Sequence, residues 1–362
     1  MYNAIIKESK IHMEKYLMPF ISAVLISLLM TPVAKKIAEK VGAIDIPKDN
    51  RRVHKKPIPL LGGLAIYAAT IICMFIFLPM DRTFTSIVIG ATIIMISGII
   101  DDVKDLSPKL KLIFQICAAV VLVLGDVKVD FITNPFSKGA TLFYLKSFSI
   151  PITIFWVVGI TNTVNLIDGL DGLAAGVTMI ASTSLFFVAM KFGYTSIMII
   201  SAIIAGACLG FLPYNFNPAK IFMGDTGALF LGFMLAAISI EGVMKSVATI
   251  AVVVPIIILG LPIFDTTFAI FRRLLNGRPI MEADKGHLHH RLLQMGFSQK
   301  QTVLILYLIS AVFGLTAVLI SKVNSSQAVI ISGIAILVTI ILASRMGLMD
   351  MKSNEGKKGK KD

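Results

Sequence analysis

The chain alternates long apolar runs with short polar segments from about residue 16 to residue 345. A transmembrane helix needs about 20 consecutive, mostly apolar residues, so each run is expected to form one crossing. The pattern predicts an all-α, polytopic integral membrane protein with about eleven transmembrane helices. The predicted crossings are residues 16–34, 60–80, 83–100, 110–125, 148–166, 172–190, 195–213, 226–243, 246–270, 301–321 and 326–344.

Composition agrees with this interpretation and excludes the other broad classes. Charged residues make up 15% of the chain, apolar residues make up 56%, and the mean hydropathy is +0.85. Soluble domains carry about 25% charged residues, and disordered chains are less apolar still. We therefore expect residues 1–362 to form a single transmembrane domain with a membrane core over about 16–345. The basic segment 346–362 is expected to be a disordered cytoplasmic tail.

The distribution of Lys and Arg predicts the orientation in the membrane. Eleven crossings place the two termini on opposite sides. With the N-terminus outside, the segments that face the cytoplasm hold 24 of the 34 Lys and Arg residues, and the outer segments hold 10. The positive-inside rule therefore places the C-terminus in the cytoplasm. The net charge of +13 is expected to meet anionic membrane lipid rather than nucleic acid.

Chemically unusual polar residues gather at the predicted cytoplasmic ends of the crossings. They form five clusters that are distant in sequence but share one side of the membrane. The clusters span residues 49–63, 101–105, 162–172, 217–227 and 284–291. This shared side predicts a single site on the cytoplasmic face.

The second cluster places three carboxylates at a helix end. Asp101 and Asp102 are adjacent, and Asp105 follows one helical turn after Asp101. Adjacent carboxylates repel each other and need a cation or a raised pKa when they are partly desolvated. The pattern favours metal, base or phosphate-relay chemistry. The alternative is a solvated loop in which Asp101 or Asp105 caps the next helix.

The third cluster ends the fifth crossing. Asn162, Asn165, Asp168 and Asp171 recur every three residues. Polar helix ends at membrane depth are tolerated only where they are buried in protein or line a wet cavity. Oxygen ligands of this kind suit Mg²⁺, which takes one or two protein oxygens together with substrate phosphates. The alternative is a turn with Asx caps.

The fourth cluster immediately precedes the eighth crossing, where Asp225 stands between Gly224 and Gly227. Glycines allow close backbone approach, and the N-terminus of the following helix favours anions. Phe222 lies three residues before Asp225 and could stack on a base, although ordinary packing is the simpler interpretation. For Asp225 the alternative is a helix N-cap.

The fifth cluster holds three of the five histidines: His287, His289 and His290, beside Lys285 and Arg291. A metal cluster is one alternative, but no HExxH motif or cysteine partner supports zinc. The basic neighbours favour contact with phosphate or sugar.

Two further charged features are less specific. Asp265 is the remaining charge inside a predicted crossing, and it is expected either to pair with Arg272 on the same helix or to support the site. Lys56 ends a basic strip over residues 51–56, which the positive-inside rule alone can explain.

Four segments together resemble one family. They are DDVKD, NLIDGLDGLA, NPAKIFMGDTG and DKGHLHHRL. Their order and spacing are similar to those of the polyprenyl-phosphate N-acetylhexosamine-1-phosphate transferases, which share a superfamily with phospho-MurNAc-pentapeptide translocase. The resemblance covers about residues 16–345. It implies that the phosphate of undecaprenyl phosphate attacks the β-phosphorus of a UDP-sugar, UMP leaves, and a lipid-linked sugar pyrophosphate forms.

The resemblance also implies catalytic roles for individual residues. Asp101 and Asp102 look like the catalytic pair, and Asp168 is placed with them. Asn165 and Asp225 look like the ligands of an essential Mg²⁺, which Mn²⁺ could replace.

Further residues match the substrate contacts of the family. Phe222 looks like a ring that stacks on uracil, Lys109 is similar to a uridine contact, and Asp171 lines the nucleotide pocket with Asp168. The remaining matches lie in the first basic loop and in the loop that recognises sugar and phosphate: Lys56, His287, His289, His290 and Arg291.

The resemblance implies a bacterial cytoplasmic membrane, UDP-GlcNAc or a related UDP-HexNAc, undecaprenyl phosphate and, by analogy, a homodimer. The product would start a teichoic acid, lipopolysaccharide or other envelope polysaccharide. Two alternatives stay open. One is the phospho-MurNAc-pentapeptide branch of peptidoglycan synthesis, whose run of three histidines is interrupted here by Leu288 and followed by Arg291 instead of an acidic residue. The other is an ion-coupled transporter, since broken helices and embedded carboxylates also mark carriers.

Overall fold

The computed structural model describes residues 2–47, 56–133, 142–245, 252–277, 286–323 and 325–345. Within these ranges, α-helices carry most of the regular structure, as the sequence predicts. The helices are α1 (Tyr2–Val41), α2 (Gly63–Phe77), α3 (Arg82–Lys104), α4 (Pro108–Leu124), α5 (Ser149–Ile167), α6 (Leu173–Phe192), α7 (Thr195–Asn215), α8 (Gly224–Ser239), α9 (Val253–Ile258), α10 (Gly260–Leu275), α11 (Leu288–Gln294), α12 (Gln299–Ile320) and α13 (Ser325–Arg345). The basic tail over 346–362 lies outside the described residues.

Among the described residues, seven helical segments are long and apolar enough to cross a membrane. They are Glu14–Val41, Arg82–Lys104, Lys146–Ile167, Leu173–Phe192, Thr195–Asn215, Gly224–Met244 and Gln299–Ile320. Two shorter apolar helices, Gly63–Phe77 and Gln327–Ile341, coincide with further predicted crossings. The chain is therefore an all-α, multi-pass membrane protein. The count of eleven crossings and the orientation of the termini stay predictions.

The ninth predicted crossing, residues 246–270, is not one continuous helix. Residues 246–251 lie outside the described part of the chain, and the remainder forms α9 and α10, which meet at Leu259. Pro262 explains the interruption, because proline lacks an amide hydrogen and its ring clashes with the carbonyl four residues earlier. Pro262 lies in the first turn of α10, where the missing amide hydrogen costs nothing because amides there have no partner within the helix.

Helix α8 forms the centre of the bundle. Its apolar window is 94% buried inside the protein, against 44% for the span Arg82–Lys104. Glycines permit this close packing: a Cβ on Gly232 would lie 2.7 Å from the Thr161 Cα, and one on Gly98 would collide with the Thr226 backbone. Small residues at helix contacts let backbones approach closely in membranes. The first turn of α8 is thereby held against α3.

Two short antiparallel hairpins accompany the helices. Strand β1 (Ile44–Asp45) pairs with β2 (Ile58–Pro59), and β3 (Phe131–Thr133) pairs with β4 (Leu142–Tyr144). The first hairpin supports the segment before α8, because the Phe222 amide donates to the Pro59 carbonyl at 2.9 Å and the Gly62 amide donates to the Phe222 carbonyl at 2.9 Å.

Candidate active site

The last turn of α3 carries Asp101 and Asp102, and the chain turns sharply just after them. Asp105 is left-handed (φ 52°) and ends the helix, with its amide donating to the Asp101 carbonyl at 2.9 Å. The Leu106 amide donates to Asp101 Oδ1 at 2.7 Å. The buried Asp101 carboxylate therefore holds the turn with one oxygen and leaves the other for a different contact.

Asp102 joins α3 to α8. Its Oδ1 accepts from the Asp225 amide at 2.8 Å, and its Oδ2 accepts from the Thr226 amide at 3.0 Å and the Thr226 hydroxyl at 2.6 Å. Gly224 leaves room for this contact, because a Cβ there would collide with the Asp102 carboxylate. Gly224 also adopts a left-handed conformation, with a φ of 68°, which favours glycine. Asp102 therefore accepts hydrogen bonds from amides of the first turn of α8, which have no partner within the helix. The alternative in which Asp225 is the N-cap is wrong.

Lys111, in the first turns of α4, lies between two of the carboxylates. Its Nζ is 2.6 Å from Asp101 Oδ2 and 2.8 Å from Asp225 Oδ2. Sequence reasoning missed this residue. A signal was available, since Gln115 lies one turn further along α4 and exchanges hydrogen bonds with Asn162, at 3.2 Å and 2.6 Å. Two polar side chains one turn apart on an apolar helix mark a face that meets other polar groups.

The predicted metal residues lie side by side. Asn165 Nδ2 donates to Asp225 Oδ1 at 3.0 Å. Asp101, Asp102 and Asp225, hereafter the acidic cluster, each place a carboxylate oxygen within 4.8 Å of the others. When all three carboxyls are ionised, they exceed the Lys111 ammonium by two negative charges, and oxygen donors of this kind suit a hard divalent cation. The residues present therefore fit Mg²⁺, while ligation itself stays a prediction.

Asp168 follows directly after α5 and is half-buried beside this cluster. Burial raises the pKa of its carboxyl to about 8, and the negative charges of Asp225, Asp102 and Asp171 act in the same direction. Without a cation, Asp168 therefore retains its proton near neutral pH. Its assignment as a catalytic residue stays a prediction.

Asp171 holds the loop that precedes α8. Its Oδ2 accepts from Asn217 Nδ2 at 2.9 Å and from the Ala219 amide at 3.0 Å. Asn217 also donates to Gln299 Oε1 at 2.7 Å, which connects the loop to α12. This loop-holding contact was not foreseen, and the predicted place of Asp171 in a nucleotide pocket stays a prediction.

Asp265 holds residues 286–291, hereafter the histidine segment, in place. Its Oδ2 lies 2.9 Å from His287 Nδ1, and its Oδ1 accepts from the Leu288 amide at 2.7 Å, which satisfies the start of α11. Arg272 donates to the Gly286 carbonyl at 3.1 Å. No Asp265–Arg272 ion pair occurs among the described residues, so the alternative in which Asp265 pairs with Arg272 is wrong. The partner of Asp265 is therefore His287, 22 residues further along the chain, and not a residue on the same face of α10.

His289 brings this segment to the end of α5. A Cβ on Gly169 would lie 2.5 Å from His289 Nε2, so the ring packs directly on the glycine next to Asp168. The rings of His287 and His290 lie close to it, with centroids 5.9 Å and 4.2 Å from that of His289. Burial, assisted by His290, lowers the pKa of His289 to about 3, so its imidazole is neutral.

The remaining predicted residues have less specific surroundings. Arg291 is half-buried on α11, and Phe222 is half-buried with its backbone bonded beside β2. Lys56 and Lys109 are exposed, and no hydrogen bond or ion pair in the described ranges joins either to the acidic cluster. Their roles in substrate contact stay predictions. Residues 284–285 lie outside the described part of the chain.

Comparison with known proteins identifies the family of this chain. The profile described as glycosyl transferase family 4 matches residues 84–243, which include every residue of the acidic cluster. The chain is 43% identical over 343 residues to the probable undecaprenyl-phosphate N-acetylglucosaminyl 1-phosphate transferase of Bacillus subtilis, with 94% of each chain covered.

Two more distant relatives extend the comparison. A decaprenyl-phosphate N-acetylglucosaminephosphotransferase of Mycolicibacterium smegmatis is 34% identical, with 89% of this chain and 86% of the relative covered. The undecaprenyl-phosphate alpha-N-acetylglucosaminyl 1-phosphate transferase of Escherichia coli K12 is 28% identical, with 83% and 82% covered. The chain therefore belongs to the polyprenyl-phosphate N-acetylhexosamine-1-phosphate transferases of glycosyl transferase family 4.

Proposed function

We propose that this protein transfers GlcNAc-1-phosphate from UDP-GlcNAc to undecaprenyl phosphate and releases UMP. The observation that carries the proposal is the convergence of the acidic cluster with Lys111 and Asn165 at one end of apolar helices. The names of the Bacillus subtilis and Escherichia coli relatives support the same lipid and sugar. A site at helix ends suits a lipid acceptor, because its phosphate sits at the membrane surface while its chain remains in the bilayer.

The same proposal places the site on the cytoplasmic face of the bacterial cytoplasmic membrane. The excess of Lys and Arg in the segments that share the side of the acidic cluster supports this orientation. Eleven crossings, an external N-terminus and a cytoplasmic C-terminus are parts of the proposal. The product would be the first lipid-linked intermediate of a teichoic acid or other envelope polysaccharide, and a homodimer is proposed by analogy with the family.

The enzyme is proposed to require Mg²⁺, with Mn²⁺ as a substitute. Asp225 and Asn165, the latter through its amide oxygen, would hold the ion, with the other two members of the acidic cluster beside it. When bound, the ion would neutralise the pyrophosphate of the donor and stabilise the charge that develops on the leaving UMP.

The protein side chains would position the two phosphates and balance their charge. In the reaction, an oxygen of the acceptor phosphate forms a bond to the β-phosphorus of the donor, and the bond from that phosphorus to the oxygen of UMP breaks. Lys111 supplies a positive charge beside the acidic cluster that can stabilise this transfer. A phosphate monoester is mostly dianionic at pH 7, so a general base gains little by deprotonating it.

Direct attack by the acceptor is favoured over a covalent enzyme intermediate on Asp102. Both oxygens of Asp102 already accept hydrogen bonds from the first turn of α8. Attack by this carboxylate would sacrifice those bonds. A covalent route predicts that labelled UMP exchanges into UDP-GlcNAc without the lipid acceptor, whereas direct attack predicts no exchange.

The decisive experiment measures UMP release by the purified full chain in detergent with undecaprenyl phosphate. UDP-GlcNAc should be turned over with Mg²⁺ and not with EDTA, and UDP-MurNAc-pentapeptide should not be used. Asp101→Asn should lower turnover by at least about 100-fold. Asp105→Asn, a matched change of an exposed carboxylate at the same helix end, should leave it near wild type. Use of the pentapeptide donor would favour the peptidoglycan branch, and solute transport without UMP release would favour a carrier.

A further inference from the structure

A basic cavity of about 310 Å³ lies between the end of α1 and the segment that precedes α8. Its walls are Thr31, Pro32, Lys35, Lys36, Glu39, Tyr214, Lys220 and Ile221. A water molecule in the liquid takes up about 30 Å³, so a phosphate head group fits together with several waters. None of the residues that build the acidic cluster lines this cavity.

The charge of the cavity favours an anion. Three lysines face one carboxylate, and the pair between Lys35 and Glu39 is long at 4.0 Å, exposed and local to one helix turn. Such pairs hold little energy. Among the described residues, Lys36 and Lys220 have no ion-pair partner, and the Tyr214 hydroxyl takes part in no hydrogen bond. Two ammonium groups and a phenol hydroxyl are therefore available to bind phosphate oxygens.

The surface of α1 beside the cavity favours a ligand with an apolar chain. Leu25, Leu29, Val33 and Ile37 are 52%, 70%, 43% and 42% exposed, and their spacing of four residues places them in one stripe along the helix. Lys36 follows Val33 by three residues on the same side. In a bilayer this stripe would contact lipid chains, and the lysine would extend to the level of the head groups.

We infer that this cavity binds the phosphate head group of a membrane lipid, with its hydrocarbon chain along the exposed stripe of α1. The head group would contact α1 through Lys36 and the segment before α8 through Lys220. Within that segment the Lys220 amide donates to the Tyr214 carbonyl at 2.8 Å and Asn215 donates to the Ile221 carbonyl at 3.0 Å, in addition to the contacts with Asp171 and β2 described above. A bound lipid would therefore add a tie between α1 and the segment that leads to Asp225.

The inference is tested by lipid retention on the full chain. The protein is reconstituted in vesicles of equal phosphatidylglycerol and phosphatidylcholine, with a second arm in which undecaprenyl phosphate replaces the phosphatidylglycerol. It is then extracted in mild detergent and examined by native mass spectrometry. The wild type should retain one phosphate-headed anionic lipid in preference to phosphatidylcholine, and the two arms show whether a glycerophospholipid or a polyprenyl phosphate is held.

Variants separate a specific cavity from general surface charge. Each lysine removed should lower retention about fivefold, so Lys36→Gln with Lys220→Gln should lower it about 25-fold. Replacement of both by Arg should restore retention. Lys40→Gln, an equal charge change in the last turn of α1 outside the cavity wall, should leave it unchanged.

Three results would overturn the inference. An equal loss with Lys40→Gln would show only a general attraction to the surface. Equal retention of phosphatidylcholine would remove the role of the anionic head group. Complete displacement by 10 mM inorganic phosphate would show that the lipid chain contributes nothing.

Discussion

Asn165 donates a hydrogen bond to Asp225 over 3.0 Å, although 60 residues separate them in the chain. The contact brings the end of α5 and the start of α8 to one point. Asn165 lies in the last turn of the apolar helix α5 and Asp225 in the first turn of the apolar helix α8. These two polar helix ends therefore lie on the same side of the bundle. A cation bound to Asp225 would therefore lie beside the Asn165 side chain, whose amide oxygen is the proposed second ligand.

Loss of either side chain should weaken binding of the divalent cation. Asn165→Ala or Asp225→Asn is expected to raise the Mg²⁺ concentration for half-maximal UMP release by about 10–100-fold, the range seen when metal-supporting groups are removed. Mn²⁺ binding followed by electron paramagnetic resonance provides a readout independent of turnover. Asn162→Ala is the matched control, because that amide lies one turn earlier and bonds to Gln115. Equal metal affinity in Asn165→Ala and wild type would contradict the assignment.

Lys111 should contribute more to turnover than Lys109. Lys111→Gln removes the ammonium that contacts Asp101 and Asp225, and we expect kcat to fall by about 100-fold or more. Lys109 is exposed, and its predicted contact with uridine would appear as a raised KM for UDP-GlcNAc with kcat retained. Steady-state kinetics on the two variants, which remove the same charge two residues apart, distinguish these effects.

A second measurement on Lys111→Gln reports on charge balance without turnover. In EDTA, the acidic cluster would lack both its cation and Lys111, so mutual repulsion should lower the melting temperature relative to wild type. Addition of Mg²⁺ should recover most of the loss. A melting temperature that is equal to that of wild type in EDTA would show that Lys111 does not balance these carboxylates.

The sequence predicted the membrane class and four of the converging residues, but it predicted their partners less well. Asp101, Asp102, Asn165 and Asp225 are identifiable because polar groups at the ends of apolar helices are costly and need a purpose. Their contacts depend on helix rotation and depth, which periodicity does not specify. The spacing that matches the family therefore pointed to Lys109 as a substrate contact. The rotation of α4 in the structure instead brings Lys111 to the acidic cluster.

The partner of Asp265 and the break within the ninth predicted crossing escaped prediction for a similar reason. One alternative for Asp265 was a partner along the same helix, yet α10 presents this side chain to His287 on the following segment. Pro262, which interrupts the ninth crossing, was visible in the sequence, but the position of the break at Leu259 depends on how α9 and α10 pack. Tertiary contacts decided both features.

The contact between Gly169 and His289 should be required for activity. In Gly169→Ala the new Cβ would lie 2.5 Å from His289 Nε2, and the ring cannot move freely because it is buried and lies close to two other imidazoles. The displaced histidine segment should lower UMP release by about 100-fold, since small misplacements near a reacting group are costly. Gly159→Ala on the same helix α5 is the matched control, because nothing lies within 4 Å of its Cβ position. Similar activity in the two variants would contradict a role for this contact.

The pH dependence of stability should report the Asp168 carboxyl. Its folded-state pKa of about 8 exceeds the unfolded value of about 3.9, so the folded protein binds the extra proton between these values. The stability that this proton provides is fully present below the unfolded pKa and is lost as the pH rises through about 8. Asp168→Asn stays neutral throughout and should escape the loss.

In EDTA, the melting temperature of Asp168→Asn minus that of wild type should therefore grow from pH 5.5 to pH 8 and then level off. Asp105→Asn, at an exposed carboxylate, should show no such trend. A difference that stays constant from pH 5.5 to pH 8 would contradict this expectation, because it would mean that Asp168 is already charged in the folded protein throughout this range.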